Sequence, residues 1–404
     1  MRDRAPRILY VQYTNPGAYP PLHHSARLLA DAGCDVLMLG TMRRADPLRV
    51  PTHPRIQVQT MVFEPAGWRQ KLHYIRFAAW IAATAVRYRP TWLYASDPLS
   101  CPVARLVSRL LRVRVVYHEH DSPAASASEG ADRSLFWRTV MNARRAVGRT
   151  SEVCILPNAE RAEAFRQATG RAGAVHTVWN CPMADEVSPA RELATPGRLR
   201  VVYHGSIVPS RLPSSVVEAL AGLPDGVTLD VVGYETVGHR GYVDSLKRRA
   251  AQLGVANRVT FVGAVARDAL MRAGASYDVG LSLLPIDAAD PNQRTMTGAS
   301  NKPFDYLASG MALLVSDLPD WRAMFVDAGF GRSAQPESVD SVQAQLAWLL
   351  DHPRERVAMG ERGRRHVLAA WNYERVFAPV MALMHADPAG ARSRVARVSS
   401  PARS

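Results

Sequence analysis

The stretch TGASNKPFDYLASGMALLVSDLP, residues 297–319, reads as a polar loop, a short helix and a buried strand, in that order. Ser300 or Asn301 is placed to cap the helix, because a side-chain oxygen there accepts otherwise unpaired first-turn amides. Pro303 suits the first turn, where no amide hydrogen is needed, and Gly310 suits the left-handed position just past the end. Lys302 and Asp305 fall at the positive end of the helix, beside free backbone N–H groups. Such an end binds phosphate, and a carboxylate there accepts hydrogen bonds from sugar hydroxyls. The stretch is a candidate cradle for a nucleotide's ribose and phosphates. An ordinary capped helix feeding an α/β strand has the same local pattern, so its surroundings must decide.

Those surroundings alternate strand and helix. RLRVVYHGSI (198–207) leads into a loop carrying Arg211 and a helix at 214–221. LDVVGYE (229–235), a helix at 240–253, RVTFVGAV (258–265) and YDVGLSLLP (277–285) follow. Beyond the opening stretch, residues 354–385 read as helical, with Trp371, Tyr373 and Phe377 as apolar anchors. Residues 387–404 are Ala, Arg, Ser and Pro with almost no acid, the composition of a disordered basic tail.

The first half runs the same way. RILYVQY (7–13), the turn-rich TNPGAYPP, a helix at 23–32 ending at Gly33, and DVLML (35–39) make a βαβ unit. Strands are expected at 56–63, 91–96, 152–156 and 174–179, and VRVVYHEHDSP (113–123) is an apolar strand that ends in titratable groups. Residues 183–197 lack periodicity and read as a linker. The chain therefore divides into units at 1–182 and 198–386, joined by the linker 183–197 and followed by the tail 387–404. Each unit is a doubly wound parallel sheet of the α/β class.

Ligands of such sheets bind beyond the carboxyl ends of the strands. Asn15 and Gly17 lie in one such loop, and His118, Glu119, His120 and Asp121 close another strand. His120 beside Asp121 can position a proton donor or a partner for a substrate hydroxyl, although a structural histidine at a strand end is the plainer reading. No third, distant ligand has zinc-like spacing, so no metal site is expected.

Composition narrows the classes. The 404 residues are 47% hydrophobic and carry a net charge of +14. That basicity attracts polyanions, anionic lipid or phosphorylated ligands. It is scattered rather than gathered into a stripe or module, which argues against a nucleic-acid reader. Two helical stretches, 70–88 and 133–149, mix Arg and Lys with aromatic residues such as Trp68, Tyr74, Phe77 and Trp80. Such helices can rest on an anionic membrane surface, or pack their aromatics on the sheet. Four distant cysteines without a CxxC pair, no visible signal peptide and no apolar run long enough to span a bilayer suggest a cytoplasmic protein.

SNKPFDYLASG (300–310), LLVSDLP (313–319), VVYHGSI (201–207), LDVVGYE (229–235) and VTFVGAV (259–265), with YHEHDSP (117–123) and VWNCP (178–182), together resemble the family-four retaining glycosyltransferases. The resemblance implies a GT-B arrangement: two Rossmann-like domains facing a cleft, with a C-terminal helix able to return to the first. It implies that Asp305 stands where a glutamate holds the donor's ribose. Arg211, with Ser300, Asn301 and Lys302, would face the diphosphate. Gly205 and Ser206 would let the chain approach the donor, with Gly233 and Gly263 in loops near the nucleotide. His120 would contact the transferred sugar as a catalytic residue beside Arg211 and Asp305. Asn15, Gly17, His118 and Asp121 would lie on the acceptor side.

Three departures stand out. The family often has two glutamates separated by seven residues, and counting back from Asp305 the first of them falls at Thr297. Asp305 is one methylene shorter than glutamate. Leu212 replaces a common glycine after Arg211. The expected function is transfer of a sugar from a nucleotide donor to a glycan or lipid-linked acceptor. It needs no cofactor beyond the donor, no metal and no nucleic acid, and it would take place at the inner membrane face. A nucleotide-sugar epimerase and a catalytically silent sugar-nucleotide binder are the alternatives.

Overall fold

The computed structural model describes residues 5–44, 46, 48–65, 67–123, 134–190 and 196–385. The tail expected at 387–404 lies outside them, as do residues 191–195 of the linker. The first half opens with β1 (Arg7–Gln12), α1 (Pro20–Asp31), β2 (Asp35–Met42), β3 (Ile56–Val62), α2 (Trp68–Tyr88) and β4 (Trp92–Ser96). It continues with α3 (Cys101–Leu111), β5 (Arg114–His118), α4 (Leu135–Thr150), β6 (Val153–Leu156), α5 (Ala159–Thr169) and β7 (His176–Thr177). Its seven strands lie in the order β3-β2-β1-β4-β5-β6-β7, every pairing parallel.

The second half begins with β8 (Leu199–Ile207), α6 (Ser215–Ala219), β9 (Val227–Glu235), α7 (Tyr242–Gln252), β10 (Val259–Gly263), α8 (Arg267–Gly274) and β11 (Val279–Ser282). Short α9 (Pro291–Arg294), α10 (Lys302–Ala308), β12 (Ala312–Ser316), α11 (Pro319–Trp321) and β13 (Gly331–Ala334) follow. The chain closes with α12 (Val339–Asp351), α13 (Pro353–Ala369) and α14 (Tyr373–His385). The second sheet is also parallel, in the order β10-β9-β8-β11-β12-β13.

Both sheets are covered on both faces, which is why β1, β4 and β12 read as unbroken apolar runs rather than alternating ones. One face of the first sheet packs on α2, α3, α4 and α5 through Phe77, Val107, Val147 and Phe165. The opposite face packs on α1 and on α14, whose Tyr373, Phe377 and Val380 are fully buried. The last helix thus crosses back to complete the first domain. Asn372 makes that crossing possible. Its amide nitrogen donates to the last carbonyls of α13, at Val367 and Leu368, while its Oδ1 accepts from Arg375 N in the first turn of α14. One side chain ends one helix and starts the next, where the sequence reads as a single helical region.

Candidate functional site

In each sheet the chain reverses its winding at one gap, between β1 and β4 in the first and between β8 and β11 in the second. Neighbouring loops there leave in opposite directions and open a crevice. Two cavities lie along the cleft between the sheets. They differ in charge and share one side chain.

The first cavity, about 230 Å³, is lined from the second domain by Gly205, Ser206, Arg211, Gly233, Arg267, Asn301 and Lys302, and from the first by Gly17, His23 and Arg49. No Asp or Glu lines it among the described residues. Its shape depends on glycines. Gly205 has φ 115°, and a Cβ there would lie 3.0 Å from Lys302 Cε. Gly233 has φ 156°, and a Cβ would lie 1.8 Å from the Gly205 carbonyl oxygen. Bare backbone at both strand ends gives the Lys302 side chain room to reach the cavity. Lys302 is 6% exposed and pairs with no described carboxylate; its Nζ lies 5.6 Å from the Tyr203 ring centroid. Burial and the neighbouring Arg211 push its pKa down to about 7. Arg211 Nη1 donates to Ser206 Oγ at 3.4 Å. An unpaired buried ammonium beside a guanidinium is an incomplete arrangement whose missing part is an anion.

The second cavity, about 460 Å³, is lined by Gln12, Tyr19, Ser96, Asp97, Asp121, Asp290 and Asn292, and again by Arg211. Asp97 follows β4 at the switch point with φ 62° and ψ 165°, a conformation costly for a residue with a Cβ. Its Oδ1 accepts from His120 N at 2.9 Å, and Gln12 Nε2 donates to its Oδ2 at 3.3 Å. Burial raises its pKa to about 7. Asp121 is exposed and lies 3.3 Å from Arg161 Nη1. Carboxylates and amides around a polar hollow suit a hydroxyl-rich ligand.

The structure sorts the residues expected from sequence. Gly205, Ser206, Arg211, Gly233, Asn301 and Lys302 come together at the basic cavity. Gly263, with φ 83°, ends β10 just before the lining residues Ala264 and Arg267. Asp121 lines the acidic cavity. Gly17 lines the basic one, not the acceptor-side hollow, and Asn15 caps the turn behind it by accepting from Gly17 N at 2.8 Å.

Other expected residues sit behind the cavities. His118 is fully buried, with Nδ1 2.7 Å from the Tyr94 hydroxyl. His120 lines neither cavity; its Nε2 meets Ser96 Oγ at 3.1 Å, and burial pushes its pKa down to about 4. Glu119 is held by Arg144 inside the fold. Ser300 is buried and lines neither cavity. Asn301 does not cap α10: its Nδ2 donates to Asp305 Oδ2 at 2.8 Å instead. Asp305 is 2% exposed, lines neither cavity, and is bound by Arg267. Burial pushes its carboxyl up against the pull of that guanidinium.

The loop at Thr297 is committed to holding the domains together. Asn158 Nδ2 donates to the carbonyls of Thr295 and Thr297, and Asn180 N donates to that of Gly298. Of the two readings of α2, packing of aromatics on the sheet holds for Tyr74 and Phe77, which are core residues, while Trp68, Leu72 and Ile75 are exposed. Asp97, Arg267, Arg49 and Asp290 were not singled out from sequence. For Asp97 a signal existed: it follows an apolar parallel strand, as His118–Asp121 do. Arg267 carries no local signal.

Residues 17–181 match the family described as glycosyl transferase 4-like domain, and residues 211–382 match the one described as glycosyl transferase-like. The GDP-mannose-dependent α-(1-6)-phosphatidylinositol monomannoside mannosyltransferase of Mycobacterium tuberculosis is 29% identical over 210 residues. The match spans about half of each protein, 48% of this chain and 49% of that one. Among solved structures, sucrose-phosphate synthase of Thermosynechococcus elongatus is similar with TM-score 0.69 and 18% identity, covering 98% of this chain and 100% of that one. Anabaena HepE in complex with UDP has TM-score 0.66 and 18% identity, covering 94% and 99%. WaaG, a glycosyltransferase involved in lipopolysaccharide biosynthesis, has TM-score 0.66 and 14% identity, covering 94% and 100%. With two family matches that together take in most of both halves, over a fold shared nearly end to end, the chain belongs to the group 1, family-four glycosyltransferases of GT-B architecture.

Proposed function

We propose that this protein transfers a sugar from a nucleotide-sugar donor to a hydroxyl-bearing glycan or glycolipid. The observation that carries the reading is the pair of cavities, one basic and one acidic, that meet at Arg211. A nucleoside diphosphate in the basic cavity supplies the anion that Lys302 and Arg211 lack. Breaking the bond to the sugar develops negative charge on the leaving diphosphate. Cations already fixed at that place stabilise the transition state without reorganising. The acceptor hydroxyl approaches from the acidic cavity, on the far side of Arg211. Retention of anomeric configuration and independence from metal are part of this proposal, on the strength of the family resemblance.

The Mycobacterium tuberculosis relative is GDP-mannose-dependent and acts on a phosphatidylinositol monomannoside, which supports a lipid-linked acceptor here. So does the surface of α2, α3 and α4, which pack side by side and contain no Asp or Glu. Trp68, Leu72, Ile75, Leu106, Leu110 and Leu135 are exposed there among arginines. Tyr13, which lines the acidic cavity, bonds to Gln70 O and His73 Nδ1 of α2, so that surface begins beside the acceptor hollow. We infer that an anionic membrane is the second partner. No described helix is long and apolar enough to cross it.

The epimerase alternative needs acid and base groups in the cleft. Of His118, Glu119, His120 and Asp121, only Asp121 lines a cavity. The withdrawn Asp305 favours a silent binder, and turnover decides between the two. The test is incubation with UDP- and GDP-sugars, with and without membrane extract and EDTA, following nucleoside diphosphate release and the product anomer by NMR. Acceptor-dependent release that Arg211→Ala abolishes is expected. Binding without release would overturn transfer.

A further inference from the structure

Arg267 opens α8 and lines the basic cavity. Its guanidinium lies between two carboxylates. Nε donates to Glu186 Oε1 at 2.7 Å and Nη2 to Glu186 Oε2 at 2.9 Å. Nη2 also donates to Asp305 Oδ1 at 2.9 Å, and Nη1 to Asp305 Oδ2 at 3.2 Å. Glu186 comes from the linker, where its Oε2 also accepts from Met183 N and lies 3.2 Å from His24 Nε2 of the first domain. Asp305 Oδ2 takes a further hydrogen bond from Asn301.

These contacts leave Asp305 little to offer a ribose. Both its oxygens accept from protein donors, and a ligand must displace Arg267 to reach them. The Asp305 side chain, one methylene shorter than glutamate, ends on the Arg267 guanidinium, which itself lines the cavity. Two carboxylates gripping one planar fork also hold it in a single orientation. The one cation between the two acids offsets part of the cost of burying them, and Asp305 still has its carboxyl pushed up.

We propose that Arg267 is the group that meets the donor at this position, a third cation for the diphosphate beside Arg211 and Lys302, and that Asp305 and Glu186 are positioning residues acting through it. This rests on the transfer reading of the cleft. It differs from that reading in giving Asp305 no direct contact with the nucleotide.

Calorimetric titration with UDP, GDP, their monophosphates and the 2′-deoxy diphosphates tests it. Arg267→Gln is expected to weaken diphosphate binding at least tenfold and monophosphate binding less than threefold. Asp305→Asn is expected to weaken diphosphate binding in the wild-type background and to add less than twofold in Arg267→Gln, since a residue acting through another loses its effect when that one is gone. Discrimination between ribose and 2′-deoxyribose is expected to be the same in wild type and Asp305→Asn. Arg267→Gln leaves two buried acids without their cation, so Arg267→Lys is measured beside it, with melting curves for each; an intermediate affinity is expected. Diphosphate affinity within twofold of wild type in Arg267→Gln would overturn the inference, as would loss of ribose discrimination in Asp305→Asn. Wild type that binds neither UDP nor GDP would sink the transfer reading itself, a distinguishable outcome.

Discussion

Lys302 shows how a single residue can be costly to the fold and useful to the site. Its ammonium is buried, shares its surroundings with Arg211, and has its pKa pushed down to about 7. Replacing it by Met should raise the unfolding free energy of the empty protein by about 1–3 kcal/mol. The same change should weaken nucleoside diphosphate binding at least tenfold; melting curves with and without GDP measure both effects. The pH dependence follows from linkage. The unfolded chain holds the Lys302 proton up to about pH 10.4, whereas the folded chain releases it near 7. Between those values the unfolded state binds more protons, so wild-type stability should rise with pH relative to Lys302→Met. The stability advantage of Lys302→Met should therefore shrink as pH rises from about 7 to 10, and an advantage that grows instead would contradict the sign. Gly233 makes a second residue-scale case. A Cβ 1.8 Å from the Gly205 carbonyl forces two strand ends apart, so Gly233→Ala should cost more than about 2 kcal/mol in a denaturant titration.

At the scale of elements, α2, α3 and α4 do two jobs with opposite faces. Inward they bury Phe77, Val107 and Val147 against the first sheet. Outward they set apolar side chains among cations, with no acid on any of the three. The inward stripe takes aromatics such as Tyr74 into the core, and the outward one leaves Trp68, Leu72 and Ile75 exposed. Full-length protein should float with vesicles containing phosphatidylglycerol and detach as salt rises, because surface charge is screened within about 8 Å at physiological ionic strength. The triple change Trp68→Ser, Leu72→Ser, Ile75→Ser should reduce flotation several-fold at low salt while leaving GDP binding intact. Flotation equal to wild type would exclude this face.

At the scale of the molecule, the two halves are not independent bodies joined by a linker. α14 supplies Tyr373, Phe377 and Val380 to the first sheet, Tyr373 donates to the Pro21 carbonyl, and Trp92 Nε1 donates to Met384 O. A chain ending at residue 371 should therefore lose cooperative unfolding of the first domain, seen as a lowered or split melting transition. An unchanged transition would mean that α14 merely rests on that surface. The interdomain hydrogen bonds from Asn158 and Asn180 to the Thr295–Gly298 backbone act in the same direction. They also explain how Thr297, where an acid might have stood, serves as a docking loop.

Much of this protein was legible in the order of its residues. Unbroken apolar runs separated by capped helices mean parallel strands covered on both faces, whereas the strand order that reverses the winding comes from the structure. Glycines at strand ends and Lys302 at a helix start could be read because each effect is local: a backbone angle, a helix end, a spacing of a few residues. What the order of residues left undecided is long-range. Whether Asp305 reaches the cavity depends on Arg267 and Glu186, residues brought to it from α8 and the linker. Whether His120 or Asp97 meets the cleft depends on a turn at Asp97 that points the carboxylate outward and leaves the imidazole behind Ser96. A buried charge chooses its partner by three-dimensional proximity, since desolvation makes the nearest countercharge decisive, and proximity between residues far apart in the chain exists only once the two sheets have packed.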